Sequence, residues 1–161
     1  MKPLINMQKD NFDPSYRYKM PPVEVKWEGS GNGKKTIIVN IKKISRSIQR
    51  NIYEIIKYIG QSANAKAKLM KGSNDWEYAV VSGYITDDTL QNIIYDYIEK
   101  YILCKMCGNP ETFYMCKLSP MRVSKKCKAC GNKEKINEDK ITRYILNTFI
   151  SDIKKQNKSL A

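Results

Sequence analysis

The sequence predicts an α+β protein: an α/β sandwich of mixed sheet and helices, followed by a four-cysteine ribbon and a closing helix. Three observations lead there. Two pairs of short segments alternate apolar and polar side chains across turn-forming residues, as half-buried strands do. Between and after them, isoleucine and tyrosine recur at steps of three and four, the period of an amphipathic helix. Two Cys-x-x-Cys-Gly knuckles then stand in a stretch rich in cysteine, lysine, glycine and proline.

The elements follow in order. Residues 1–20 are polar and broken by Pro3 and Pro14, so they read as an extended N-terminal arm. Val23–Glu28 alternates, Gly29–Lys35 is a glycine-rich basic turn, and Thr36–Val39 is a second strand; the three form a β-hairpin. Asn40 is placed to cap a helix bearing Ile41, Ile44 and Ile48. A second helical stretch carries Ile52, Ile55, Ile56 and Ile59 and is expected to end near Gly60. Residues 66–71 and 76–84 read as two strands joined by the turn Gly72-Ser73-Asn74-Asp75. From Thr86-Asp87-Asp88 a longer helix shows the stripe Leu90, Ile93, Ile94, Tyr97, Ile98, Tyr101 and Ile102, which suits packing on a sheet better than an exposed docking face. A last helix from Glu138 to about Lys155 aligns Ile141, Ile145, Phe149 and Ile153, and Lys154–Lys158 reads as a basic tail. The expected parts are therefore the arm (1–20), the α/β domain (21–102), the ribbon (103–135) and the C-terminal helix with its tail (136–161).

Composition narrows the chemistry. Lysine and arginine exceed aspartate and glutamate by 29 to 16, a net charge of +13. Such a surplus on 161 residues points to a polyanionic partner, namely nucleic acid, a ribonucleoprotein or an anionic membrane surface, beyond what solubility requires. No histidine is present, which removes Ser-His-Asp and Cys-His catalysis and the usual neutral-pH base. No apolar run approaches a spanning helix and the N-terminus lacks a signal-peptide core, so a cytoplasmic or nuclear protein without a membrane is expected. Five cysteines in a reducing compartment then argue for metal or free thiols over disulfides.

Cys104-Lys105-Met106-Cys107-Gly108 and Cys127-Lys128-Ala129-Cys130-Gly131 are separated by nineteen residues. Two intervening residues let both thiolates of a knuckle face one ion, and the glycine allows the turn that aims backbone N–H groups at sulfur. Four thiolates suit one structural zinc ion, and a closed shell leaves no position for substrate water. A rubredoxin-like iron site is the rival. Cys116 falls outside the pattern and reads as a strand residue of the ribbon.

Tyr16-Arg17-Tyr18-Lys19-Met20-Pro21, Glu28-Gly29-Ser30-Gly31-Asn32-Gly33-Lys34-Lys35-Thr36 and Cys104-Lys105-Met106-Cys107-Gly108-Asn109-Pro110-Glu111-Thr112 together carry a resemblance. In order and spacing, across roughly residues 12–150, the chain resembles the N-terminal domain of the eukaryotic translation initiation factor 5 family. More distantly, its Asn-Pro-Glu-Thr segment is similar to the beta subunit of initiation factor 2. The resemblance implies an α/β fold with a zinc ribbon. It also implies a cytoplasmic GTPase activator, not itself an enzyme, that stimulates GTP hydrolysis by initiation factor 2 in the preinitiation complex during start-codon selection. Its implied partners are GTP-bound initiation factor 2 with initiator tRNA and the small ribosomal subunit with its RNA; the free chain is expected to be a monomer.

By position, Arg17 matches the family's arginine finger, and Lys35 and Lys57 match further basic residues tied to the same function. A guanidinium supplied in trans neutralises charge on the transferring phosphoryl group. The plainer reading makes Arg17 a surface anchor of the arm and the two lysines solvated side chains. Asn32, Gly33, Lys34 and Lys35 form a slender basic tip suited to RNA, or else a hairpin turn without a partner. Two departures stand out. Asn51–Ile56 replaces the family's usual proline-rich stretch and is expected to lengthen the first helix. The chain also stops before the family's C-terminal helical domain, as a fragment or a minimal form would. That keeps a second function open: a ribosome-binding mimic that alters start-codon selection without activating the GTPase.

Overall fold

The computed structural model describes residues 2–160; the first residue of the expected arm and the last of the expected tail lie outside them. The chain divides into two compact units, the first ending at Lys100 and the second beginning at Tyr101.

The first unit is built on a four-stranded antiparallel sheet. Its strands are β3 (Val25–Glu28), β4 (Lys35–Ile38), β5 (Ala67–Lys71) and β6 (Glu77–Ser82), in the order β3-β4-β6-β5. Strand alternation puts Thr36, Ile38, Ala79 and Val81 on one face, and each is 1% exposed or less. Three helices supply the matching apolar stripes: α1 (Ile41–Ile48), α2 (Ile52–Ser62) and α3 (Asp87–Tyr101). Ile41, Ile44, Ile55, Ile59, Leu90, Ile94 and Ile98 are all buried, so the stripes expected from periodicity are core. One polar pair enters this core: the Tyr97 hydroxyl donates to the buried Glu54 carboxylate.

Four details differ from the sequence reading, each for a local reason. Asn40 precedes α1, but its side chain does not cap the helix. It accepts from the Glu24 N–H at 3.1 Å and donates to the Pro22 carbonyl at 2.8 Å, holding the root of the arm instead. Asn51–Ile56 does not lengthen α1. Gln49 takes a left-handed conformation (φ 54°) that ends α1, and Asn51 caps a separate helix by accepting from the Tyr53 N–H at 2.8 Å. The second helix runs past Gly60 to Ser62, because Gly60 serves a close approach: a Cβ there would lie 3.1 Å from that of Ala67 on β5. The residues read as a basic tail are helical through Leu160, since nothing from Lys154 onward breaks a helix.

The N-terminal arm is also not extended throughout. It folds back as a narrow hairpin in which β1 (Ile5–Asn6) pairs antiparallel with β2 (Lys19–Met20). Met7, Met20 and Val23 are buried and anchor it, while the Val23 N–H donates to Gln91 of α3 at 2.8 Å.

In the second unit, β7 (Thr112–Leu118), β8 (Met121–Cys127) and β9 (Lys133–Lys135) form a three-stranded antiparallel sheet in sequence order. Helix α4 (Lys140–Leu160) packs on β8. Asp139 caps it, its carboxylate accepting from the Ile141 and Thr142 N–H groups at 2.9 and 2.8 Å, and the Tyr101 hydroxyl donates to the same carboxylate. Ile141, Ile145 and Leu146 are buried on its inner side. Among the described residues no helix is long and apolar enough to cross a membrane.

Candidate functional site

Two loops bring the four knuckle cysteines together. In the first knuckle the Gly108 N–H donates to the Cys104 carbonyl at 2.8 Å, and the Cys104 N–H to the Asn109 carbonyl at 3.0 Å. The second repeats the pattern: the Gly131 N–H donates to the Cys127 carbonyl at 3.1 Å, and the Cys127 N–H to the Asn132 carbonyl at 2.9 Å. Gly108 and Gly131 both have positive φ (72° and 74°), which is why glycine follows each pair. The four sulfurs lie within 4.8 Å of one another, with Cys104–Cys130 and Cys107–Cys127 both at 3.6 Å. Tetrahedral bonds of ~2.3 Å to a single ion place sulfurs ~3.8 Å apart, so the cluster has the dimensions of a metal site. Cys116 is elsewhere, on β7 opposite Val123, and burial raises its thiol pKa.

The electrostatics of the cluster agree. Burial alone would raise the Cys104 thiol, but the backbone N–H groups of Cys107 and Met106 outweigh it and bring Cys104 down to about 7. The Asn109 N–H favours the Cys107 thiolate, yet burial and the neighbouring thiols of Cys127, Cys130 and Cys104 push it up to about 12. One negative charge forms readily and opposes the next, and a cation bound among the sulfurs removes that opposition.

A buried ion pair not singled out in the sequence supports the knuckles. Lys125 is 1% exposed, pairs with Glu134 of β9 at 3.1 Å, and donates to the Leu103 carbonyl just before Cys104. Glu134 also accepts from the Lys105 N–H inside the knuckle at 3.3 Å. The signal was present in the strand phase: Lys125 shares its parity with Val123 and Cys127, the inward residues of β8. Lys125→Ala should cost about 3–5 kcal/mol by leaving Glu134 buried without its main countercharge. The double change Lys125→Met with Glu134→Leu should recover most of that loss; denaturant unfolding of the metal-loaded chain measures both.

The remaining expected residues all lie in the first unit, on different elements. Arg17 stands exposed on the loop of the β1–β2 hairpin, between Tyr16 and Tyr18, with its guanidinium 5.7 Å from the Tyr18 ring. That loop is a hydrogen-bonded structure. The Asn6 side chain donates to the Asn11 and Asp13 carbonyls at 2.7 and 3.0 Å and accepts from Lys19 at 2.7 Å. Asp13 accepts from the Ser15 N–H at 2.9 Å, and the Met7 N–H donates to the Tyr18 carbonyl at 3.0 Å. Asn6 was missed in the sequence because a lone asparagine among polar residues carries no signal. Short alternations at Ile5-Asn6-Met7 and Tyr18-Lys19-Met20 could have revealed the pairing.

The hairpin tip between β3 and β4 is one turn of 3-10 helix, Gly31–Gly33, with the Gly33 N–H bonded to the Ser30 carbonyl at 2.9 Å. Gly29 cannot be replaced without distortion, since its φ is +81° and a Cβ would lie 2.1 Å from the Gly33 oxygen. Tyr84 holds the base of the tip by donating to the Gly29 carbonyl, and the Lys34 ammonium lies 5.1 Å from the Tyr84 ring centre. Lys35 is already in β4, half-buried and paired with Glu28 at 3.5 Å. Asn32, Gly33 and Lys34 are thus exposed at the tip, whereas Lys35 belongs to the face of the sheet away from the helices, alongside Ile37, Tyr78 and Val80. Lys57 is exposed on α2.

An α/β sandwich with an ordered arginine loop, paired with a four-thiol ribbon, defines a small two-part module. The family described as the domain found in initiation factors 2B and 5 matches residues 8–133, and the chain belongs to that family. It is 38% identical to eukaryotic translation initiation factor 5 of Saccharomyces cerevisiae over 91% of this chain and 34% of that protein. It is 36% identical to the factor 5 of Caenorhabditis elegans over 91% of this chain and 31% of the relative. To that of Dictyostelium discoideum it is 36% identical over 88% and 35% respectively. The chain spans about a third of the length of these relatives.

Proposed function

We propose that this chain acts as the GTPase-activating part of a translation initiation factor 5, stimulating GTP hydrolysis by initiation factor 2 in the preinitiation complex during start-codon selection. The observation that carries the reading is the Arg17 loop: an exposed guanidinium on a hydrogen-bonded hairpin, in a chain whose relatives bear that name. Arginine stays charged and offers a planar fork of donors that matches phosphate oxygens. An ordered loop lowers the entropic cost of placing it. Lys35 and Lys57 are secondary contributors in this reading.

The four parts divide the work. The arm carries the finger, the α/β domain holds the tip, one structural zinc ion on Cys104, Cys107, Cys127 and Cys130 organises the ribbon, and α4 closes the chain. The site of action is the cytoplasm, with the small ribosomal subunit and initiator tRNA on initiation factor 2 as partners, and the free protein is a monomer. Activity is tested by GTP hydrolysis in a reconstituted preinitiation complex with and without this protein.

The tip favours a second reading as well. Asn32, Gly33 and Lys34 project from a base fixed by Tyr84, which suits a ribosomal contact that works without hydrolysis. Charge reversal at Lys34 and Lys35 should weaken binding to small ribosomal subunits by roughly tenfold or more while leaving the fold intact. Sedimentation with purified subunits measures it.

A further inference from the structure

The outer face of the ribbon sheet carries charge that neither the metal site nor the arginine loop uses. Register places Phe113, Lys126 and Lys133 in one row across the three strands, Met115, Ser124 and Lys135 in the next, and Lys117 opposite Arg122 in the last. Directly opposed residues share a face, so five cations project from this side. Among the described residues no acidic side chain pairs with any of the five. Two of the pairings, Lys117 with Arg122 and Lys126 with Lys133, set like charges directly opposite each other, which weakens a sheet that has no partner.

Between the cations lie apolar surfaces. Phe113 and Met115 are each 38% exposed, and the Lys128 ammonium sits 5.9 Å from the Phe113 ring centre. A basic surface interleaved with an accessible aromatic ring matches the chemistry that holds single strands: cations follow the phosphates and the ring stacks on a base. An acidic protein surface would complement the charge but would give Phe113 no stacking partner.

We infer that the β7-β8-β9 face is a binding surface for single-stranded RNA, separate from the arginine loop and the glycine tip. The inference goes beyond the GTPase-activating role and is tested without ribosomes or initiation factor 2. Fluorescence anisotropy of labelled oligouridylate is titrated with the full, zinc-loaded chain over a range of salt concentrations. The combined change Lys117→Gln, Lys126→Gln and Lys133→Gln should weaken binding and reduce the slope of log affinity against log salt by about 2, since each phosphate contact on a single strand contributes ~0.7. Phe113→Ala should lose roughly tenfold in affinity with the slope unchanged. Lys34→Gln at the tip should alter the slope by less than the triple change. Unaltered binding in the triple variant, with zinc content and fold retained, would overturn the inference, as would wild-type affinity in Phe113→Ala. Competition by polyglutamate as effective as by unlabelled oligouridylate at equal charge would overturn it too, by making the face an acidic-protein site.

Discussion

Stripping zinc from the ribbon is expected to unfold the unit that begins at Tyr101 and to leave the β3-β4-β6-β5 sheet with its helices folded. The ribbon's strands are short and their outer face is mostly charged, so little apolar surface is buried there to offset chain entropy. Binding of a structural zinc ion by four thiolates is worth ~10–16 kcal/mol apparent, which exceeds the ~5–15 kcal/mol net stability of whole domains. The paired knuckle geometry and the 3.6 Å sulfur separations show where that energy acts. One zinc per chain by elemental analysis, and loss of amide dispersion only for residues beyond Tyr101 after chelation, are the expected results. Cys104→Ser should reproduce the chelated state. Cys116→Ser should leave metal content unchanged, because Cys116 lies on β7 outside the cluster.

Replacing Arg17 with alanine is expected to abolish most of the stimulated hydrolysis, since an arginine supplied in trans is worth ~10³–10⁵ in rate. The fold should be untouched: Arg17 is exposed, while the loop is held by Asn6, Asp13 and buried Met7 and Met20. Arg17→Lys keeps the charge and loses the fork, so it should recover only a small part of the rate. Full activity with lysine would remove the geometric basis of the finger. Asn6→Ala, which frees the loop, should lower the rate less than Arg17→Ala does, by increasing the cost of placing an intact guanidinium.

The parts of this molecule most legible in its sequence are those set by local periodicity. Ile41, Ile44 and Ile48, then Ile55 and Ile59, then Leu90, Ile94 and Ile98 announce three helices and their buried faces, and each is core. The knuckles were equally plain, because a Cys-x-x-Cys-Gly turn is closed by its own backbone. What escaped depends on partners distant in the chain. Asn40 has the look of a cap, yet it bonds to Pro22 and Glu24, eighteen and sixteen residues away. Gly60 has the look of a stop, yet it makes room for Ala67. The arm reads as extended because its prolines and polar residues hide Met7 and Met20, whose burial pulls it into a hairpin. Lys35, grouped with the tip by adjacency, faces along the sheet with Glu28 because strand alternation sends it the other way from Thr36. For the site, the sequence named the arginine, while the hydrogen bonds that present it emerged only from the fold.

The most direct test of the central claim is single-turnover GTP hydrolysis in a reconstituted preinitiation complex containing initiation factor 2, GTP and initiator tRNA. Buffer, the wild-type chain and Arg17→Ala are compared at concentrations where both proteins are bound to the small subunit. The account predicts stimulation by the wild type and a rate close to buffer with Arg17→Ala. Equal rates with bound wild type and bound Arg17→Ala would contradict it.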